Sequence, residues 1–282
     1  MKSFFGRAIC ILLMGSTSAG AVSTLKDCYS ESKLSDYVSK PEKSTVVLLD
    51  ETTIFDDVQR HQITDQLIAL MQPRTEIKLF SFSAYIGGRY TLPLLDIGLS
   101  APIDSQARDT IRKPALAVFD SCLRTQKYVA EGLIRRTLAD YFKRSTNNIA
   151  RSDIVAAVRD VGASVMPQID ARVKRILLVS DMLENSDITS FYLKGGVRRI
   201  DATKELALVE ERGMFTDLRG AGVFVIGAGV INTDPNRPNS DRHRGQDTLQ
   251  GLRDFWSRYL EKSNARLVEF GQPLLLRPIG DR

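Results

Sequence analysis

Short apolar runs alternate with longer stretches of helical periodicity from about residue 44 to the end of the chain. The short runs are apolar almost throughout, which is typical of strands buried on both faces of a parallel sheet. Their lengths fit strands better than helices. Six strands are predicted on this basis: Thr45–Leu49, Glu76–Phe82, Tyr90–Ile97, Ile176–Val179, Val223–Ile226 and Ala265–Phe270.

Between the strands, apolar residues recur every three or four positions, as on one face of a helix. The predicted helices are a first one that contains Val58 and stops at Pro73, Ala115–Arg144 as one long helix or two shorter ones, Ser152–Ile169, Thr203–Leu218 and Thr248–Lys262. Ser152 or Asp153 is expected to cap the third of these helices. The stretch Ser186–Gly196 follows neither pattern and receives no prediction.

The second and third strands are joined by only Ala84–Gly88, a link too short for a parallel crossover. They are therefore expected to form an antiparallel hairpin. The chain predicts an α/β fold, namely a doubly wound, mostly parallel six-stranded sheet with one antiparallel edge strand and helices on both faces. In such sheets, ligands bind at the carboxyl ends of the strands.

The first residues have the order of a secretory signal. Lys2 and Arg7 precede the apolar run Ala8–Met14, and the small residues Ala19-Gly20-Ala21 follow. Cleavage is expected after Ala21, leaving a polar leader at 22–43 and a single domain at 44–282. We therefore expect a periplasmic or secreted protein. Neither this apolar run nor any other stretch of the sequence reaches the length of a bilayer span.

Two of the three cysteines, Cys28 and Cys122, remain after that cleavage. An even pair in an oxidising compartment predicts a disulfide, which would fasten the leader to the long helix. The alternative is that Cys122 is a small core residue on an apolar helical face beside Phe119 and Leu123.

Composition narrows the partner class. The chain has 282 residues, of which 43% are apolar and 26% charged, enough to bury a large core. Its 39 Lys and Arg against 34 Asp and Glu give a charge of +5, and the bases are scattered among acids. Scattered bases do not favour nucleic acid as a partner.

Oxygen-bearing side chains collect where strands end. Asp50 and Thr52 follow the first strand, Ser152 lies at a predicted helix start, and Ser180 and Asp181 follow the fourth strand. Carboxylates and hydroxyls without His or Cys suit a hard cation such as Mg²⁺, with Mn²⁺ and Ca²⁺ as alternatives. The alternative is that the aspartates only cap the turns and helices that follow them.

These segments resemble the von Willebrand factor A (vWA) family across roughly residues 42–270. In that family the first strand ends in Asp-x-Ser-x-Ser, a Thr comes from a loop at a helix start, and an Asp closes the fourth strand. Here the matching positions are Asp50 and Thr52, Ser152 in place of the Thr, and Asp181. The sequence Gly220–Gly227 is similar to the family's fifth strand.

The resemblance implies a vWA-like, Rossmann-like sheet and a degenerate metal-ion-dependent adhesion site formed by Asp50, Thr52, Ser152 and Asp181. The last hydroxyl of the first motif falls on Ile54, which cannot bind a cation, and Thr53 replaces it only if the loop shifts. Met182 stands where the family has Gly after the closing Asp.

Three enzyme classes fit poorly. A phosphatase of the haloacid dehalogenase type needs a second Asp where this chain has Thr52. A dinucleotide loop at Gly227–Gly229 lacks its third Gly, because Asn232 occupies that position. A Ser-His-Asp hydrolase has only His61 and His243 and no nucleophile elbow. We therefore expect no enzyme.

The sequence thus predicts an exported protein-binding module. Its cation would capture an acidic group of a protein partner. The loop Asn232–Gly245 leaves the same edge, and its Arg237, Arg242 and Arg244 are expected to contact that partner. The alternative function is a metal-independent scaffold of an envelope complex.

Overall fold

The computed structural model describes residues 22–86, 89–146, 151–193, 196–230 and 246–280. The strands are β1 (Ser23–Thr24), β2 (Lys43–Asp50), β3 (Thr75–Ile86), β4 (Arg89–Gly98), β5 (Val173–Val179), β6 (Tyr192–Leu193), β7 (Gly196–Val197), β8 (Ala221–Ile226) and β9 (Ala265–Phe270). The helices are α1 (Cys28–Glu31), α2 (Asp57–Ala69), α3 (Ser105–Arg108), α4 (Lys113–Arg144), α5 (Ile154–Ser164), α6 (Ala202–Glu211) and α7 (Gln246–Lys262). Short 3-10 helices lie at Ser35–Tyr37 and Met166–Gln168.

The main sheet has the order β1-β4-β3-β2-β5-β8-β9, and β6 and β7 form a separate small hairpin. All neighbours in the main sheet are parallel except β3 and β4. The predicted α/β class and the predicted hairpin are therefore confirmed. The prediction of six strands with an antiparallel edge strand is wrong in detail. A seventh strand, Ser23–Thr24, pairs with Leu95–Asp96 and covers the outer side of β4.

Alternate residues of the central strands enter two different cores. Val46 and Leu48 point into a core that α5 and α7 cover. Val47 and Leu49 point to the opposite face, where α2 and α4 pack. Both faces of β2 are thus dry, which explains why the strand is apolar along most of its length.

Several predicted helix bounds need correction. The long helix is a single one, Lys113–Arg144. The helix predicted to reach Ile169 ends at Ser164, and a 3-10 turn that contains Pro167 follows, because Pro lacks the N–H that an α-helix needs. The helix predicted to reach Leu218 ends at Glu211, just before Gly213 adopts a positive φ of 61°.

The leader packs against the sheet and α4. The predicted Cys28–Cys122 disulfide is present, with Cα atoms 5.5 Å apart. Around it lies a third apolar cluster in which the ring of Tyr29 packs at a tilt against Phe119 of α4, with ring centroids 5.0 Å apart. The predicted signal at 1–21 lies outside the described residues. Across the described helices, none has the length and hydropathy that a membrane span requires.

Candidate functional site

The strand order reverses between β2 and β5. The chain continues from β2 to β3 and β4 on one side, and from β5 to β8 and β9 on the other. In doubly wound sheets this reversal opens a crevice at the carboxyl ends of the two central strands, where ligands bind. Asp50 is the last residue of β2, and Ser180 directly follows β5. The acidic edge expected from the sequence therefore lies at the switch point of the sheet.

Asp50 is fully buried, and its carboxylate accepts four hydrogen bonds. One oxygen accepts from the Thr52 amide at 2.9 Å and the Thr52 hydroxyl at 2.6 Å. The other accepts from the Ser180 hydroxyl at 2.7 Å and the Ser152 hydroxyl at 3.1 Å. Hydroxyls from three separate segments thus meet on one carboxylate. We call Asp50, Thr52, Ser152 and Ser180 the hydroxyl cluster.

Two opposing effects act on the Asp50 carboxyl. Burial is the larger one and raises its pKa above the ordinary value. Hydrogen bonds from Thr52, Ser180 and Ser152 stabilise the ionised form and oppose that rise. The backbone of Asp50 is also fixed, because the Tyr141 hydroxyl of α4 donates to the Asp50 carbonyl oxygen at 2.6 Å.

The carboxylate of Asp181 serves the loop that follows it. Its Oδ1 accepts from the Leu183 amide at 2.8 Å, and the Tyr192 hydroxyl donates to its Oδ2 at 3.5 Å. The Asp181 amide donates to the Thr53 hydroxyl oxygen at 3.2 Å. Asp181 therefore joins the loop after β2 to β5 through Thr53. The expectation that Thr53 replaces the hydroxyl missing at Ile54 stays a prediction.

Met182, directly after Asp181, has an unusual backbone conformation. Its φ is 63°, in the left-handed region that an L side chain rarely takes. Two contacts fix the residue there: its amide donates to the Ser180 hydroxyl oxygen at 2.9 Å, and its carbonyl accepts from Trp256 Nε1 at 2.8 Å. These two contacts hold the turn after β5 in this conformation.

Ser152 is positioned by a bridge to the loop after β5. Its amide donates to the Asn185 carbonyl at 3.2 Å, and the Asn185 amide donates back to the Ser152 carbonyl at 3.0 Å. Asp153 is the N-cap residue of α5, one of the two residues expected there, but its side chain accepts no hydrogen bond from the first turn of the helix. Glu184 accepts one instead, from the Val155 amide at 2.9 Å.

Glu184 is a buried acid that the sequence pattern did not reveal. It is fully buried, and its Oε1 has no hydrogen-bond partner among the described residues. Burial raises its pKa to about 8, so the carboxyl is protonated at neutral pH. The only signal in the sequence is an acid directly after Met182 and Leu183, two residues before the stretch Ser186–Gly196 in which no periodicity was found.

The donor set has limits as a metal site. The part of the chain that the structure describes holds no group of three His, Cys, Asp or Glu side chains suited to a metal ion. The Asp50 oxygens are already occupied by protein donors. A hydroxyl that donates a hydrogen bond to a carboxylate keeps the lone pairs of its oxygen, and such an oxygen suits a hard cation. The cluster therefore fits a cation held by hydroxyls, with Asp50 behind them.

The remaining predicted residues divide into two groups. Arg237, Arg242 and Arg244, predicted to bind the partner, lie outside the described residues, as does His243. The chain enters that loop beside the site, since the Gly229 amide donates to the Asp181 carbonyl at 2.9 Å. His61 lies exposed on α2, and its Nδ1 is 2.5 Å from the Asp57 carbonyl oxygen of the preceding turn.

No family model matches the sequence, and no curated protein matches it as a relative. Similar solved structures include an aerotolerance-related membrane protein from Bacteroides fragilis NCTC 9343 with multiple mutations to serines, at 14% identity and a TM-score of 0.36, covering 80% of this chain and 89% of that one. The SpRpn10 VWA domain matches at 12% identity and a TM-score of 0.33, covering 83% and 91%. The pilus adhesin SpaC from Lactobacillus rhamnosus GG, in its open conformation, matches at 12% identity and 0.37, covering 83% of this chain and 28% of its own. At these identities and scores the similarity does not bear on function.

Proposed function

We propose that this protein is a protein-binding module whose binding edge is the switch point between β2 and β5. The observation that carries the proposal is the convergence of three hydroxyls on the buried Asp50. A buried carboxylate costs free energy, and an arrangement built from three separate segments is not needed to cap a single turn. The cluster also lies where doubly wound sheets bind their ligands.

We further propose that this edge holds Mg²⁺ in the free protein and more tightly when a partner is engaged, with Mn²⁺ and Ca²⁺ as replacements. The hydroxyls of Thr52 and Ser152 would ligate the ion, and Asp50 would balance its charge through them. Asp181 would act through water. A cation with so few protein ligands keeps positions that an acidic side chain of the partner fills.

The predicted contacts of Arg237, Arg242 and Arg244 belong to the same proposal. These residues follow Gly229, whose amide donates to the Asp181 carbonyl. Guanidinium groups form short, charge-assisted hydrogen bonds with carboxylates. A carboxylate-bearing partner would then contact both the cation and this loop.

A metal-independent scaffold is the second candidate, and two observations favour it. All four hydrogen bonds that Asp50 accepts come from the protein itself, so the cluster is satisfied without a cation. Ile54 occupies the position where the first vWA motif has its last hydroxyl. An enzyme that attacks its substrate with the strand-end Asp fits less well, because Asp50 is fully buried.

Metal titration separates the two candidates. We would follow thermal unfolding of the purified chain with Mg²⁺, Mn²⁺, Ca²⁺ or chelator, because an ion that binds only the folded state raises the midpoint. The test variant is Thr52→Val with Ser152→Ala, and the matched control is Thr125→Val with Ser121→Ala on the exposed face of α4. The proposal expects a metal-dependent rise in the parent and the control but not in the test variant. No rise in any chain would favour the scaffold.

A further inference from the structure

The solvent face of α4 carries an unusual excess of positive charge. Exposed bases recur along the whole helix. They are Lys113, Arg124, Lys127, Arg135, Arg136, Lys143 and Arg144, which we call the basic face. On the same helix Asp140 is exposed, Glu131 is half-buried, and Asp120 is paired with Arg108 of α3. A 32-residue helix extends this charge over about 48 Å.

Few of these bases form an ion pair, although Asp120, four residues before Arg124, attracts its guanidinium group. Within the described residues, only Lys143 of the basic face forms an ion pair, with Asp140 at 3.9 Å. Elsewhere several highly exposed bases have an acid within reach, such as Lys40 beside Asp170 and Arg172 beside Glu42. The charge of the basic face is therefore left largely unbalanced by the protein itself.

Helix stability does not account for this pattern. The first turn of α4 contains no acid and begins with Lys113, although a helix N-terminus favours negative charge. Arg124 and Lys127 are three residues apart on the helix, and like charges at this spacing repel each other. The arrangement costs stability that a partner of opposite charge would recover.

Small residues lie along the middle of the basic face. Ser121, Gly132 and Ala139 lie along its middle line, with Arg124 and Arg135 to one side. A Cβ added at Gly132 would meet nothing within 4 Å, so the helix surface is open there. Tyr128, at 81% exposure, stands on the same face, and Tyr and Arg are the residues enriched at protein interfaces.

We infer that the basic face of α4 docks an acidic helix of a protein partner. Charge complementarity selects the partner, and the exposed Tyr128 supplies an apolar anchor. The large exposed side chains of the face, Val118, Tyr128 and Val129, offer little area for insertion into a lipid surface. This docking site is separate from the hydroxyl cluster and does not depend on a cation there.

The probe is a labelled helical peptide with glutamates on one face, compared with a peptide of the same composition in which they are scattered. The test variant is Arg124→Glu, Arg135→Glu and Arg136→Glu together. The control reverses three exposed bases elsewhere, Lys204, Arg212 and Arg266. All seven positions of the basic face are exposed, so the fold should persist, and unfolding midpoints of each chain check this.

We expect the parent to bind the one-faced peptide more tightly than the scattered peptide. The test variant should weaken binding of the one-faced peptide at least about tenfold more than the control variant does. Tyr128→Ala should also weaken binding of the one-faced peptide. A peptide with lysines on one face should bind the test variant but not the parent. Equal loss in test and control variants would overturn the inference. So would binding to vesicles of phosphatidylglycerol and phosphatidylcholine that needs the same arginines while neither peptide binds.

Discussion

The Ser180 hydroxyl donates to the Asp50 carboxylate at 2.7 Å, joining the residue after β5 to the last residue of β2. Both side chains are fully buried. The bond joins the carboxyl ends of the two strands between which the strand order reverses. It therefore ties together the two sides of the switch point. The same Ser180 oxygen accepts from the Met182 amide and thereby sets the turn that carries Asp181.

Replacing Ser180 with Ala should destabilise the protein by about 1–3 kcal/mol, because a buried carboxylate loses one of its four donors. Urea unfolding at neutral pH measures the change. Ser121→Ala, on the exposed face of α4, removes a hydroxyl outside any such cluster and should change stability by less than about 0.5 kcal/mol. Similar losses in both variants would contradict a structural role for the Ser180–Asp50 bond.

Local pattern was enough to predict the sheet. The central strands are buried on both faces, so Val46–Leu49 and Ile176–Val179 are apolar throughout, and the short link before Arg89 allowed only a hairpin. The place of the site followed from the same reasoning, since parallel strands bring Asp50 and the residues after Val179 to one edge.

Among the contacts between distant segments, the meeting of Ser152 with Asp50 was expected from the sequence, but the contacts of Asn185 and Glu184 could not be predicted. Ser152 reaches Asp50 because it bridges Asn185, and Glu184 caps α5 from another loop. Neither partner lies within a helical turn or a strand period of the other, so no spacing in the sequence reveals the pairs. The strand Ser23–Thr24 was missed for a similar reason, because two polar residues carry no periodic signal.

Removing the disulfide with Cys28→Ser and Cys122→Ser should cost about 3–5 kcal/mol, because the bond closes a loop of 94 residues in the unfolded chain. Denaturant unfolding of the double variant measures the loss, and reduction of the parent should reproduce it. Mass spectrometry of unreduced peptides identifies the bond. Two thiols that react in the native parent would show that Cys122 only packs among the residues of α1 and α4.

We expect export followed by cleavage after Ala21, because a charged segment, an apolar run and small residues follow one another there. Sequencing the mature N-terminus should therefore begin at Val22. Replacing Ala19 and Ala21 with bulky residues should block processing while leaving the leader intact. Recovery of parent protein that retains Met1 from an envelope fraction would contradict this expectation.

Two helical glycines should respond in opposite directions to Ala. At Gly132 of α4 a Cβ meets nothing within 4 Å, so Gly132→Ala should stabilise the fold by up to about 1 kcal/mol. At Gly162 of α5 a Cβ would lie 2.2 Å from the Thr216 Oγ1, so Gly162→Ala should destabilise it by about 1–3 kcal/mol. Thermal unfolding measures both. Adding Thr216→Ala to the second variant should recover part of its loss.

Stability should fall as pH rises from about 4.5 to about 8, through the buried Glu184. Its pKa is raised from 4.5 to about 8 in the folded state, so in this window the folded chain holds a proton that the unfolded chain has released. The contribution is fully present below about pH 4.5 and is lost as pH approaches 8.

Glu184→Gln keeps an acceptor for the Val155 amide but cannot titrate. Urea unfolding at about pH 5 and about pH 8 should show a loss in the parent that is smaller in this variant by several kcal/mol. Equal losses in the two chains would mean that Glu184 is already ionised in the folded protein at neutral pH.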